Sequence, residues 1–123
     1  MKTLFLNVSA ADKRKSIEEL SSFLGLKTEY ISNKDLDKTV LTITRGSVPG
    51  MPDRVPVQIP LMYNLPEIII FSGFEEDEVR VFLSEYKSRG IERIALKCMV
   101  TPFNIGWSLF KLVEHLKEEA GIK

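Results

Sequence analysis

Residues 94–100 are apolar except for Lys97, with a β-branched side chain at each end. A run of that length with almost no polar alternation suits a strand covered on both faces rather than one with a wet side. Residues 67–71 repeat the pattern, since Glu67 is followed by Ile68, Ile69, Ile70 and Phe71. Two such strands require helices on both faces of one sheet.

The remaining elements are read from caps and periodicity. Thr3 to Val8 is a short apolar strand. Ser9 and Asp12 resemble a capping box that opens a helix bearing Ile17, Leu20, Phe23 and Leu24 on one face, and Gly25 closes it. The basic triplet Lys13, Arg14 and Lys15 is expected to be its solvated side. Lys27 to Ser32 is a second strand. Between Asn33 and Arg45 two readings compete. Leu36, Val40 and Ile43 have helical spacing, whereas Thr39, Val40, Thr42, Ile43 and Thr44 are β-branched and favour a strand. A short helix from Ser32 or Asn33 to Gly46 is preferred.

Pro49, Pro52, Pro56 and Pro60 rule out a regular helix or central strand over residues 46–63. This long connection is expected to act as a tether across the sheet rather than as a lid. Ser72 and Glu75 read as a second capping box, opening a helix with Val79, Phe82, Leu83 and Tyr86 inward and Gly90 at its end. Thr101 is expected to cap the last helix, with Pro102 at its first position, Gly106 marking a close approach, and an apolar stripe of Ile105, Leu109, Leu112, Val113 and Leu116.

These elements predict one α/β domain over residues 1–123, with a four-stranded, mainly parallel sheet of order 2-1-3-4 and helices on both faces. In an all-parallel sheet the carboxyl ends of the strands share one rim, where ligands bind. Asn7, Ser9, Ser72, Gly73, Thr101 and Asn104 would gather there.

Composition narrows the function classes. Seventeen Lys and Arg balance seventeen Asp and Glu, which gives no global electrostatic basis for nucleic-acid or membrane binding. The one cysteine, Cys98, allows no internal disulfide or cysteine-cluster metal site, and it reads as a small core residue. With no secretion signal or membrane-length apolar run, the expectation is a cytoplasmic, soluble protein. No glycine-rich phosphate loop or dinucleotide fingerprint is present, and the third strand ends without the aspartate that a phosphoacceptor would need. His115, the only histidine, falls off the helix stripe and is expected to be solvated. No cofactor and no metal is expected.

Lys97 is the conspicuous residue, because a charge rarely sits unpaired in a covered strand. It either lies at a sheet edge and reaches outward, or provides a cation beside the helix start at Thr101, with Asn104 as an added donor. Trp107 fits a core, an interface or a ligand platform. Phe71-Ser72-Gly73-Phe74, Phe82-Leu83, Gly90-Ile91, Leu96-Lys97, Thr101, Asn104, Trp107, Glu114, Leu116 and Glu118 together resemble an uncharacterised prokaryotic family known only as a domain of unknown function. Its signature is Lys-x-x-x-Thr-x-x-Asn-x-x-Trp, and the resemblance covers residues 66–119. It implies no activity, but it does imply that Lys97, Thr101, Asn104 and Trp107 belong together. The candidate ligand-binding residues are therefore Lys97, Thr101, Asn104, Trp107, Ser72, Gly73 and Ser9. The leading expectation is a non-catalytic binding or regulatory domain using the rim, with a small anionic ligand or a protein as partner and a homodimer left open. The alternative is a small enzyme acting on an anionic substrate through Lys97 and Asn104.

Overall fold

A computed structural model describes residues 2–121. The strands β1 (Thr3–Asn7), β2 (Lys27–Tyr30), β3 (Ile68–Ser72) and β4 (Leu96–Met99) form one sheet in the order β2-β1-β3-β4, as expected. Their directions correct the expectation. β1 and β2 are parallel, and so are β3 and β4, but β1 and β3 at the centre are antiparallel, with Leu4 opposite Phe71 and Leu6 opposite Ile69. The sheet is mixed.

The cause is the long connection between β2 and β3. A single helical crossover would have returned the chain to the starting edge of the sheet. Here residues 33–39 run to the start of the short helix α2 (Val40–Arg45), beside the start of the last helix. After α2 the Pro-rich segment runs back antiparallel to them, with Lys38 bridged to Arg54 and Leu65 N donating to Asn33 Oδ1, so the chain reaches β3 on the side where it left β2. Asn7, the last residue of β1, holds it there: its side-chain amide donates to Leu65 O (2.8 Å) and Pro66 O (3.0 Å).

Alternation along the strands fills two apolar layers. Leu4, Leu6, Ile69 and Phe71 face α1 (Ala11–Phe23) and α3 (Glu76–Ser88), where they meet Ile17, Leu20, Phe82 and Tyr86. Phe5, Ile68, Ile70 and Leu96 face the other way, onto Leu36, Val40, Leu109, Leu112 and Val113, the last three from α4 (Leu109–Glu119). Ile68, Ile69 and Ile70 are all buried, which is why residues 67–71 read as a covered strand. Among the described residues no helix is long and apolar enough to cross a membrane.

Several local expectations are also revised. The 33–45 stretch splits into a 3-10 turn at Asn33–Asp35 and the short α2, with Thr39 as N-cap accepting from Thr42 N. The capping box of α3 is Glu75 with Glu78, not Ser72 with Glu75, because Ser72 is still in β3. α1 starts after Ala10 without a side-chain cap; Ser9 instead donates from its backbone N–H to Glu67 Oε2 at 3.3 Å. The basic triplet is not uniformly solvated. The Lys13 side chain is only 8% exposed, with Nζ 2.8 Å from Glu67 Oε1 and 3.0 Å from Arg93 O. Lys15 is exposed.

Candidate functional site

α4 begins at Leu109, not at Thr101, and its N-cap is Ser108, whose hydroxyl accepts from Lys111 N at 3.0 Å. Residues 101–107 form a separate turn that closes on itself. Thr101 N donates to Asn104 Oδ1 (2.9 Å), Asn104 N donates to Thr101 Oγ1 (3.2 Å), and Asn104 Nδ2 donates to Met99 O (3.0 Å). Asn104 is 8% exposed, and its amide is used on both sides by the turn. Gly106 is exposed, and a Cβ built there would meet nothing within 4 Å, so the expected close approach is not present.

The turn has a second task. Val40 N donates to Trp107 O and Leu41 N to Ile105 O, both at 2.8 Å, so the turn satisfies the first N–H groups of α2. In return, Leu109 N donates to Lys38 O and Phe110 N to Leu36 O, both at 2.9 Å. The two N-caps, Thr39 and Ser108, face each other across an isolated antiparallel bridge. Each helix is thus started by carbonyls from the stretch preceding the other.

Because the sheet is mixed, the candidate residues divide between its two edges. Ser72 is the last residue of β3 and Gly73 follows it, and Thr101, Asn104 and Trp107 follow the carboxyl end of β4, so these five share one edge. Ser9 follows β1 and lies at the opposite edge beside Glu67. Lys97 sits within β4, opposite Ile69, on an outer strand of the sheet. Its Nζ donates to Ile94 O at 2.6 Å, turning away from the Thr101 end of the strand. Burial, aided by Arg93, holds its ammonium below the ordinary lysine range. Lys97 and Asn104 are not brought together. Burial also pushes the Cys98 thiol up to about 12, with Glu119 adding to the shift, so at neutral pH this sulfur is protonated and unreactive.

The structure assembles an exposed face around α4. Phe103, 76% exposed, meets Trp107 edge-on at 5.3 Å between ring centres. The indole is flanked by His115 at 5.1 Å and by the Lys111 ammonium 4.7 Å from a ring centre. On the adjacent flank, Tyr63 packs edge-on against Phe110 (5.1 Å), donates its hydroxyl to Glu114 Oε2 (2.9 Å), and lies under Lys117 Nζ (5.6 Å). Burial and the Glu114 carboxylate hold that phenol well above the usual tyrosine range. Just before this anchor, Leu61 and Met62 are 96% and 95% exposed, in a turn closed by Tyr63 N to Pro60 O (3.2 Å). Met62 has φ 62°, a left-handed conformation unusual for a side chain other than glycine. His115 is exposed, as its position on the helix implied.

Leu61, Met62 and Phe103 were not singled out from the sequence, although a signal for them exists. Residues 55–66 and 98–110 are the two longest stretches without a charged side chain in a chain that is 28% charged. The buried part of each was legible; the part left in water was not.

Fold and surface together define a small mixed α/β domain whose α4 layer presents exposed aromatic and aliphatic side chains among charged ones. Residues 67–120, from the start of β3 through α4, match the model of a family described as Domain of unknown function (DUF3783). No curated protein and no solved structure matches the chain. The matched region contains the whole 101–107 turn and the aromatic flank of the exposed face.

Proposed function

We propose that this chain is a non-catalytic protein-binding module, docking through the outer face of the α4 layer. The observation that carries the reading is the Leu61–Met62 turn. Two large apolar side chains stand almost wholly in water, one of them on a left-handed backbone, directly before a tyrosine fixed to α4. Scattered single apolar residues on a surface need no explanation, but an anchored pair on the same helix layer as the exposed Phe103 and the half-buried Trp107 has the composition of an interface core. Lys111, Glu114, His115 and Lys117 lie around these residues as a mixed-charge rim. The face continues into the β4 edge that holds Thr101 and Asn104, so those two residues support the site by shaping the turn beneath it. A single, half-buried cysteine fits work in the reducing cytoplasm.

Site-specific photo-cross-linking in cells tests this. A photoactivatable aromatic residue at position 61 or 103 is expected to give protein adducts, whereas the same residue in place of the exposed Lys15 on α1 gives none. Equal labelling from all three positions, or none from 61 and 103, would refute the reading.

A further inference from the structure

We infer that this chain has a second binding site, at the carboxyl ends of β1 and β2, for a small uncharged polyhydroxyl molecule of the monosaccharide class. The site lies at the opposite edge of the sheet from the 101–107 turn and does not depend on the docking face proposed above.

β1 and β2 are adjacent and parallel. The chain leaves β1 toward the face covered by α1. It leaves β2 toward the opposite face, where Leu36 and Val40 are buried. Parallel neighbours whose continuations diverge in this way leave a crevice beyond their carboxyl ends, and ligands of open α/β sheets bind in such crevices. A cavity of about 440 Å³ lies at that place, within the size range of small-molecule sites. Asn7 and Ser9 line it from the β1 side, Ser32 and Asn33 from the β2 side, and residues 64–67 of the return segment form its third wall.

The lining is held in place by its own hydrogen bonds. Asn7 Nδ2 donates to Leu65 O and Pro66 O, Asn33 Oδ1 accepts from Leu65 N at 2.7 Å, and Asn33 Nδ2 donates to Asn64 Oδ1 at 3.3 Å. Backbone partners thus fix which way the amides of Asn7 and Asn33 are turned. Among the described residues, Asn7 Oδ1 and Asn64 Nδ2 have no hydrogen-bond partner, so the lining keeps one spare acceptor and one spare donor. The Ser9 hydroxyl stands 3.5 Å from Glu67 Oε2, at the limit of a bond, and is free to turn to a ligand.

Charge selects the class of ligand. Glu67 is the one charged side chain in the lining, and Lys13 Nζ at 2.8 Å and Ser9 N at 3.3 Å already balance it. No cation lines the cavity, so a phosphate or carboxylate gains nothing there and meets Glu67. No aromatic ring lines it either, so a nucleobase has no stacking platform. What remains is a set of amides and hydroxyls, which donate and accept together, beside a carboxylate that accepts. Sugar hydroxyls have the same double capacity.

NMR titration of isotope-labelled full-length protein with D-glucose, D-galactose, D-mannose and D-ribose, each to about 20 mM, tests this. At least one of the four is expected to shift the side-chain amide signals of Asn7 and Asn64, and its phosphorylated form should bind at least tenfold more weakly. Asn64→Ala, at an exposed position, removes the spare donor and should weaken binding about fivefold or more with melting nearly unchanged. Ser9→Ala keeps the backbone bond to Glu67 and should give a similar loss. No shift at Asn7 and Asn64 with any of the four sugars would overturn the inference. So would equal or tighter binding of the phosphorylated form, or affinity unaltered in both variants. None of these results bears on cross-linking from positions 61 and 103, so the two sites stand or fall separately.

Discussion

Asn104→Ala removes a side chain that joins two elements. Its Oδ1 accepts from Thr101 N at 2.9 Å and its Nδ2 donates to Met99 O at 3.0 Å, and the residue is buried. Each lost hydrogen bond costs about 1 kcal/mol, and each partner left unsatisfied in a buried place costs somewhat more. The direct loss is therefore about 2–3 kcal/mol. The effect reaches further, because the same turn presents Ile105 O and Trp107 O to the first N–H groups of α2. A loosened turn frays that helix start, which shares its bridge with the start of α4. For a domain of this size, 2–3 kcal/mol lowers the melting temperature by roughly 10 °C. Urea unfolding followed by circular dichroism measures the loss. Hydrogen exchange locates it, since the amides of Val40 and Leu41 should lose protection before those of β1 and β3. Asn104→Asp retains the acceptor but turns a carboxylate oxygen toward Met99 O, so it should cost at least as much. If Asn104 were held only to orient a ligand, Asn104→Ala would leave melting unchanged. A loss under about 0.5 kcal/mol, or normal exchange at Val40 and Leu41, would refute the structural role.

Two other predictions rest on single positions. The Cys98 thiol, raised from 9.0 to about 12 by burial, keeps its proton in the folded state where the unfolded chain has lost it. Stability should thus fall as pH rises above about 9, by up to about 1.4 kcal/mol per pH unit from this group, until the folded thiol itself ionises. Tyr86, raised to about 12 mainly by burial, adds a similar decline from about pH 10. Cys98→Ala should flatten the first part of a urea-midpoint profile against pH, and an unaltered profile would contradict the assigned cause. Met62→Gly relieves the left-handed backbone at φ 62° and should stabilise the fold by about 0.5–1 kcal/mol, less the entropy glycine adds to the unfolded chain. Destabilisation in urea unfolding would mean that the Met62 side chain packs in solution.

What could be read from the residues alone was set by patterns that burial imposes locally. Ile68 to Phe71 form a strand because their apolar side chains repeat without a wet face, and Ile17, Leu20, Phe82 and Tyr86 mark buried helix faces by their spacing. Leu96 to Met99, read the same way, are a strand too, but an outer one in which only Leu96 is buried. The order β2-β1-β3-β4 followed from the same patterns together with general rules of chain connection. Strand direction did not follow. It depends on how many times the chain crosses the sheet between β2 and β3, and the proline-rich return carries no periodicity that records a crossing. The contacts that settle it, Asn7 to Leu65 O and Pro66 O, link residues more than fifty positions apart. The role of Thr101 and Asn104 was hidden for the same reason. Their spacing is that of a helix cap, but the helix they help to start is α2, some sixty residues earlier. Local chemistry tells a residue whether it lies inside or outside and which turn it favours; which backbone groups it finally satisfies is decided when distant segments meet.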